Sequence, residues 1–323
     1  MELTPDFSIS INGGSTFPKE RVISIRTTDE AGIVSDSCEI ELDDFDGALQ
    51  FPNTEAKVIV SLGYKETGLT KIGTYFVREI SIDGARHIVR IQCNAASKAM
   101  RSQNTKTNNG GLKDLVNEMS SNFGLEPSFE DGLEEINLEN YPQFAESDMS
   151  YLTRLAHTRS VVTKPVNGHL VFTNAANGKS VTGLQLPAKY IDAQDVSNYS
   201  CSFKETESNG GTGSVSADWY DAENARYMTV TVGSGEPVTQ LKECFSSERD
   251  SIAATNAALK RISKSNVTFR FSIAGRTDLF AESPLVLRGF NPKIPTKWIM
   301  NRVEHSLSTN GFVTSVDCCN GEG

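Results

Sequence analysis

Two glycine-containing stretches of the sequence could bind phosphate. Asn177–Ser180, NGKS, has the last residues of the G-x-x-x-x-G-K-S phosphate loop, but the leading glycine of that pattern would fall at Thr173. Without that glycine, and without a helical pattern after it, the backbone N–H groups that cradle a phosphate are not brought together. Gly210–Gly213 precedes a strand pattern and opens no helix, which excludes a dinucleotide fingerprint. The sequence therefore predicts loops at both places and no cofactor.

A third stretch has part of the pattern of a calcium loop. Asp44 and Asp46 precede Gly47, as acidic ligands precede the glycine of an EF-hand loop. With Gly47 aligned to that glycine, however, Leu42 occupies the first ligand position and Asn53 the place of the bidentate glutamate. We therefore expect a turn rather than a metal site.

The remaining residues with catalytic potential are histidines and one acidic cluster. The histidines lie in separate predicted elements without H-E-x-x-H spacing, and they are His87, His157, His169 and His305. Gly233–Gly235 is not the G-x-S-x-G elbow of a serine hydrolase. Glu134 and Glu135 adjoin Asp131 in a predicted loop, where an acidic surface is the simplest interpretation. We expect no catalytic, cofactor-binding or metal-binding residues and no enzymatic activity.

Composition narrows the classes of partner. The 323 residues carry a net charge of −10, which argues against a specific nucleic-acid-binding surface. No apolar run approaches the roughly 18 residues needed to insert into a membrane, and the sequence starts without a secretory signal, so we expect synthesis in the cytosol. The cysteines lack C-x-x-C spacing and are expected to be reduced and mostly buried: Cys38, Cys93, Cys201, Cys244, Cys318 and Cys319.

The elements that would carry any site begin with a β domain, residues 1–97. Val22–Gly47 is a strand, an acidic turn and a second strand, in which Cys38, Ile40 and Leu42 alternate with polar residues. A period of two places one face in a core and the other in water. About six strands are predicted here, one of them, Tyr75–Ile82, with a bulge.

Residues 98–187 change to a helical pattern. After Ser97–Gly111, which is expected to be a linker or exposed loop, an amphipathic helix covers Leu112–Phe123 and should end at Gly124 in the left-handed conformation. A second helix starts near Ser147, whose hydroxyl can cap it. Asn167-Gly168 then predicts a tight hairpin. Together these elements make a small α+β module.

Strands return in residues 188–323. Asn198–Phe203 places Tyr199, Cys201 and Phe203 on one face, and a hairpin is expected around Asp221–Asn224. A helix over Ser247–Ser263 follows, with a buried line predicted at Ile252, Leu259 and Ile262. The alternating Val267–Ile273 is the clearest strand of this half. Two β domains of similar content suggest a diverged duplication.

The sequence also resembles the late-control gene D family of contractile phage tails, which are tail hub proteins. The blocks that carry the resemblance span most of the chain and are Thr4–Phe7, Thr28–Gly32, Leu42–Gly47, Leu62–Leu69, Gly73–Val77, Glu146–Ala156, Gly233–Pro237, Arg276–Ala281 and Trp298–Leu307. Glu146–Ala156, ESDMSYLTRLA, is also similar to a helix in the hub-like N-terminal half of type VI secretion spike proteins.

The resemblance implies a β-dominated α+β fold with two tube-like β-barrel or sandwich domains and an inserted small α+β module. It implies a homotrimeric, pseudo-sixfold ring that joins the hexameric tail tube to the trimeric central spike in the virion baseplate, assembled in the host cytoplasm. Further expected partners are the tape-measure protein and other baseplate proteins. A hub of a phage-derived bacteriocin or injection device, and a tail-associated cell-wall hydrolase, are the alternatives.

One loop is predicted to contact a partner because it is rich in small polar residues and joins two strands. Its residues are Ser208, Asn209, Gly210, Gly211, Thr212, Gly213 and Ser214.

Overall fold

The computed structural model confirms a β-dominated α+β fold. The structure describes residues 3–14, 16–32, 35–108, 110–130, 132–133, 138, 141–159, 161–166, 168–174, 186–203, 213–245, 247–265 and 267–320. Three hydrophobic cores organise these residues, and they are centred on Ile40, Leu152 and Phe269, each of which is completely buried.

The first six strands form one antiparallel unit. They are β1 (Pro5–Ile11), β2 (Val22–Glu30), β3 (Ser37–Asp43), β4 (Lys57–Tyr64), β5 (Gly68–Asp83) and β6 (Ile88–Asn94), in the spatial order β1-β4-β5-β6-β3-β2. The alternation predicted for β3 is confirmed, since Cys38, Ile40 and Leu42 are all buried. The bulge predicted in β5 is also present, between Val77 and Glu79.

A mixed module follows this unit. Its elements are α1 (Lys98–Arg101), β7 (Gln103–Asn108), α2 (Leu112–Phe123), β8 (Glu126–Phe129), β9 (Tyr141–Ser147), α3 (Asp148–Arg159), β10 (Val161–Val166) and β11 (His169–Asn174). Gly124 ends α2 with φ 64°, and the Ser147 hydroxyl accepts the Ser150 N–H at 3.1 Å, as predicted. The linker predicted for Ser97–Gly111 is wrong, because this stretch forms a helical turn and a strand that pairs with β9.

The described residues of the last part of the chain contain nine strands and one α-helix. They are β12 (Lys189–Asp192), β13 (Val196–Phe203), β14 (Gly213–Asp221), β15 (Arg226–Ser234), β16 (Val238–Phe245), α4 (Glu248–Ser265), β17 (Val267–Ala274), β18 (Pro284–Arg288), β19 (Lys297–Ser308) and β20 (Gly311–Asn320), with β14 to β16 in a small separate sheet.

The helix α4 packs through small residues rather than through its large apolar ones. Ile252 is 39% exposed, whereas Ala254 and Ala257 are buried, and the buried Ser251 hydroxyl donates to the Ala217 carbonyl of β14 at 3.3 Å. The predicted burial of Ile252 is therefore wrong, whereas Leu259 and Ile262 of the predicted line are half-buried. A narrow alanine face lets the helix approach the small sheet closely, which larger side chains would prevent.

Two sets of six strands share one topology. The order β12-β18-β19-β20-β17-β13 repeats the order β1-β4-β5-β6-β3-β2, strand for strand in chain sequence. We call these sets the first unit (β1 to β6) and the second unit (β12, β13 and β17 to β20). One pairing differs: β12 runs parallel to β18, whereas β1 runs antiparallel to β4.

The irregularities of the two units coincide as well. A bulge follows the first residue of the β2 pairing, Val22, and of the equivalent β13 pairing, Val196. A short 3₁₀ turn precedes each of these two strands. Glu55 and Glu282 hold equivalent positions before β4 and β18 with φ of 67° and 66°, and their N–H groups bond to Val77 and to its counterpart Met300.

A direct strand pairing joins the two units into one twelve-stranded sheet. β2 pairs antiparallel with β19 from Ser24 opposite Ser308 to Glu30 opposite Arg302. β19 thus uses one edge twice, because its first residues pair with β18 and its later residues pair with β2.

Candidate interaction surfaces

The edge strand β13 exposes the apolar side chains that its sequence pattern predicts to be buried. One of its edges pairs with β17, and within the described parts of the chain no strand pairs with the other. Tyr199 is 47% and Phe203 57% exposed. Tyr199 still contacts the core beneath it, with its ring 5.1 Å from that of Phe290. The strand is therefore held in place on one side and open on the other.

A second open edge lies on β5. This strand pairs with β4 up to Phe76 and with β6 from Phe76 to Asp83, so that Arg78–Asp83 has a partner on one side only among the residues that the structure describes. Ile82 is 61% exposed on this edge. The sequence analysis did not identify it, although the alternation of Ile80 and Ile82 in a segment without an obvious core contact was a usable signal.

Both open edges are unusual for a folded chain. Unpaired strand edges present rows of N–H and C=O groups that can pair with another strand, and natural proteins normally protect them with charge, proline or a covering segment. Here each edge combines free backbone groups with a large exposed apolar side chain, which is typical of a surface that another chain covers.

A cluster of charged side chains lies where the mixed module contacts both units. Lys164 of β10 lies with its Nζ 2.7 Å from Asp29 Oδ1 and 3.2 Å from Asp36 Oδ1, and it donates to the Glu30 carbonyl at 2.8 Å. The other oxygen of Asp29 accepts the Ala281 N–H at 2.9 Å. This cluster, Lys164 with Asp29 and Asp36, therefore connects the module to the first unit and, through Asp29, to the second.

The electrostatics of the cluster follow from its burial. Burial raises the pKa of Asp36 to about 7, because its carboxylate loses water and Lys164 offsets only part of that loss. Burial alone would lower the pKa of Lys164, but the carboxylates of Asp29 and Asp36 outweigh it and raise that pKa. Burial lowers the pKa of the neighbouring His305 to about 4, so this imidazole is neutral at pH 7.

A cavity of about 470 Å³ adjoins this cluster and is the place to look for catalytic side chains. Its lining includes Lys164, Asp36 and His305, and none of the described lining residues is a cysteine or serine. The three N–H groups of Lys164 are matched by three acceptors, and its raised pKa keeps the amine protonated, so it is not a nucleophile. His305 Nδ1 lies 2.9 Å from the Thr314 hydroxyl. The arrangement is that of a buried ion-pair clamp.

The other sequence candidates stay apart. His87 lies in the turn before β6, in the first unit, whereas His305 is in β19 of the second unit and His169 begins β11 in a separate sheet. No group of three metal-ligating side chains occurs in the portion of the chain that the structure covers. Asn177–Ser180, Asp131, Glu134 and Glu135 lie outside the described residues, as does the side chain of His157.

The predicted partner-contact loop is only partly described. Ser208, Asn209, Gly210, Gly211 and Thr212 lie outside the described residues. Gly213 and Ser214 begin β14 and are buried, and the Ser214 hydroxyl donates to the Gly235 carbonyl at 3.0 Å, so these two residues belong to a sheet. A partner contact by this loop stays a prediction.

The six cysteines are all free thiols. Cys38, Cys93 and Cys318 are buried, as predicted, but Cys201 and Cys319 are half-buried and Cys244 is exposed. Among the described helices, none combines the length and the apolar character that crossing a bilayer requires.

Two phage proteins align with nearly the whole chain. No family model matches the chain. The chain is 24% identical to the probable baseplate hub protein of Escherichia phage 186 over 98% of its own length and 92% of the relative's. It is also 24% identical to the probable baseplate hub protein of Escherichia phage P2, over 98% and 93% of the two lengths.

Solved structures share the fold at low sequence identity. The 43 kDa tail protein of prophage MuSo2 from Shewanella oneidensis matches with a TM-score of 0.70 and 12% identity, over 98% of this chain and 99% of that one. A component of the Escherichia coli type VI secretion system matches with a TM-score of 0.55 and 9% identity, over 96% and 76%. The resemblance seen in the sequence is confirmed, since the chain is similar over nearly its whole length to probable baseplate hub proteins of two phages.

Proposed function

We propose that this chain is the hub of a contractile-tail baseplate, in which three copies form a ring with pseudo-sixfold symmetry. The repetition of one six-stranded topology within the chain is the observation that carries the proposal. A trimer contains six such units, so it can present six similar surfaces to a hexameric ring and three identical surfaces to a trimeric one. Duplication of an ancestral unit explains the shared bulges.

In this role one end of the ring receives the tail tube protein and the other the central spike protein. The similarity to probable baseplate hub proteins over nearly the whole chain supports a place in the virion baseplate, with assembly in the host cytoplasm. The tape-measure protein and other baseplate proteins are the remaining partners. The net charge of −10 suits a ring whose lumen lets DNA or the tape-measure protein pass without binding it.

The role is structural rather than enzymatic. Lys164 is held protonated with each of its N–H groups bonded and is not a nucleophile, which supports this interpretation over a tail-associated cell-wall hydrolase. A zymogram on peptidoglycan tests that alternative directly, since clearing by the purified chain would contradict the proposal. A hub of a bacteriocin or another injection device would have the same ring and differs by the absence of capsid genes around its gene.

The experiment that tests the ring is light scattering coupled to size exclusion, followed by electron microscopy of the same fraction. We expect a trimer whose end-on class averages show six similar densities around a central opening. A monomer at high protein concentration, or a ring with three densities only, would contradict the proposed function.

A further inference from the structure

The pairing of β2 with β19 inside the chain is a template for a pairing between two copies of the chain. We call it the internal junction: β2 of the first unit pairs with the edge of β19 of the second unit, with Thr27 opposite His305 and Asp29 opposite Val303. The counterpart of β2 is β13, and the counterpart of β19 is β5. Each of these two strands has an open edge among the described residues, β5 in the first unit and β13 in the second.

The shared bulges align the counterparts residue by residue. In the second unit the register of β19 on β20 shifts after Met300, and in the first unit the register of β5 on β6 shifts after Val77. Met300 therefore corresponds to Val77, and Val303 and His305 correspond to Ile80 and Ile82.

The same procedure aligns the donated strands. The bulges at the start of β2 and β13 match Val22 with Val196. Thr27 and Asp29 then correspond to Cys201 and Phe203.

Replacing each residue of the β2–β19 pairing by its counterpart in β13 or β5 gives the register of a β13–β5 pairing. Ile80 lies opposite Phe203, Ser81 opposite Ser202, Ile82 opposite Cys201 and Asp83 opposite Ser200. We propose that β13 of one copy pairs antiparallel with Arg78–Asp83 of the next copy in this register, so that the twelve-stranded sheet continues from chain to chain. The inference rests on the proposed ring and specifies the surface through which its copies join.

Burial supports this assignment. At the internal junction Thr27 is 1% and His305 3% exposed, because each covers the other's edge. At the open edges the counterpart Ile82 is 61% exposed and the counterpart Cys201 is half-buried, and Phe203, the counterpart of Asp29, is 57% exposed. The difference in exposure is the area that a second copy would cover, and burying apolar side chains there stabilises the interface.

The side-chain pattern also selects the register. With Ile82 opposite Cys201, apolar side chains meet on one face, and with Ser81 opposite Ser202 polar side chains meet on the other. A shift by one residue would place Ile82 opposite Ser200 or Ser202 and reverse every contact. The internal junction uses ion pairs, such as Arg26 with Glu304 at 3.5 Å, whereas their counterparts Ser200 and Ser81 are uncharged, so the contact between copies depends on apolar packing.

The test uses a cysteine that the chain already has. Residues directly opposite in antiparallel strands have Cα atoms about 4.5 to 5.5 Å apart, which is within the range of a disulfide. Ile82→Cys should therefore cross-link to native Cys201 of the next copy when the full chain is oxidised with diamide. We expect covalent dimers and trimers on a non-reducing gel.

Three controls isolate the register. Adding Cys201→Ser to Ile82→Cys should abolish the cross-link, and Asp83→Cys should not form one because its side chain is on the other face. The double variant Ser81→Cys with Ser202→Cys in a Cys201→Ser background samples the adjacent pair, in case hydrogen-bonding geometry disfavours the first. All these positions are solvent-accessible, so the variants should fold.

The outcomes separate this inference from the proposed function. A trimer by light scattering in which neither Ile82→Cys nor the Ser81 and Ser202 pair cross-links would overturn the register and leave the trimer standing. Cross-linking by Asp83→Cys, or cross-linking that survives Cys201→Ser in the Ile82→Cys variant, would also overturn it. A monomer at high concentration would contradict both. As an independent measure, Ile82→Arg should raise the concentration needed for trimer formation by about tenfold or more, whereas Ile252→Arg on the exposed side of α4 should not change it.

Discussion

Lys164 Nζ lies 2.7 Å from Asp29 Oδ1, and this contact joins the inserted module to the strand through which the two β units meet. Asp29 is in β2 opposite Val303 of β19. The half-buried carboxylate of Asp29 thus receives a cation from the module and the backbone N–H of Ala281, and its strand position pairs with the second unit. The cluster fixes the three parts relative to one another.

Removing this cation should destabilise the fold strongly. Lys164→Met removes a buried cation and leaves the half-buried carboxylates of Asp29 and Asp36 without their partner, which we expect to lower the free energy of unfolding by about 3 kcal/mol. Lys106→Met is the matched control, because Lys106 pairs with Glu118 at an exposed site where such pairs contribute about 1 kcal/mol or less. Thermal unfolding followed by circular dichroism measures both. Equal shifts for the two variants would show that the clamp is not stabilising.

His305 should make the protein less stable in acid. Its pKa is lowered from 6.5 to about 4 in the fold, so between these pH values the unfolded chain binds more protons than the folded one. The stability is complete above pH 6.5 and is lost as the pH falls toward 4, by at most about 3 kcal/mol. His305→Gln should flatten this dependence in urea titrations, and His87→Gln, at an exposed turn, should not. If the stability of His305→Gln depends on pH as steeply as that of the wild type, His305 is not the group responsible.

Asp36 should change the stability with pH in the direction opposite to His305, over an overlapping pH range. Its pKa is raised from 3.8 to about 7, so the folded state binds more protons between these values and this contribution to stability falls as the pH rises. Asp36→Asn removes that loss and keeps an oxygen that can accept from Lys164. We expect the variant to gain stability relative to the wild type from pH 4 to pH 7. The exposed Asp195→Asn should remain parallel to the wild type, and parallel curves for both variants would contradict the prediction.

Gly275 should not tolerate even a methyl group. A Cβ at this position would overlap Cδ1 of Phe312, whose ring packs in the core of the first unit although Phe312 belongs to the second unit. The Gly275 carbonyl also accepts the Tyr64 hydroxyl at 3.0 Å. Gly275→Ala should cost roughly 1 to 3 kcal/mol or more, as overpacking does. Gly84→Ala has open space around it and should change the unfolding midpoint little. A neutral Gly275→Ala would show that Phe312 can move.

The local sequence pattern was sufficient to predict helix ends that are capped by nearby residues and strands in which apolar and polar residues alternate. The end of α2 at Gly124, the Ser147 cap of α3 and the strand β17 all agree with the structure, because each depends on residues within one turn or one strand. The strand β7 was missed because Gln103–Asn108 is polar and becomes a strand only by pairing with β9, whose residues lie about 40 positions further on.

The sequence by itself determined the strand and helix content, the reduced cysteines and the likeness to hub proteins, because period, caps and motif blocks are local properties. The tertiary structure alone decided that both units share one strand order, that β2 joins β19, and that Lys164 is buried between two carboxylates. The exposure of β13 is the clearest case. Its alternating apolar residues predict a buried face, but burial depends on whether another strand lies beside that edge, and within one chain none of the described strands does.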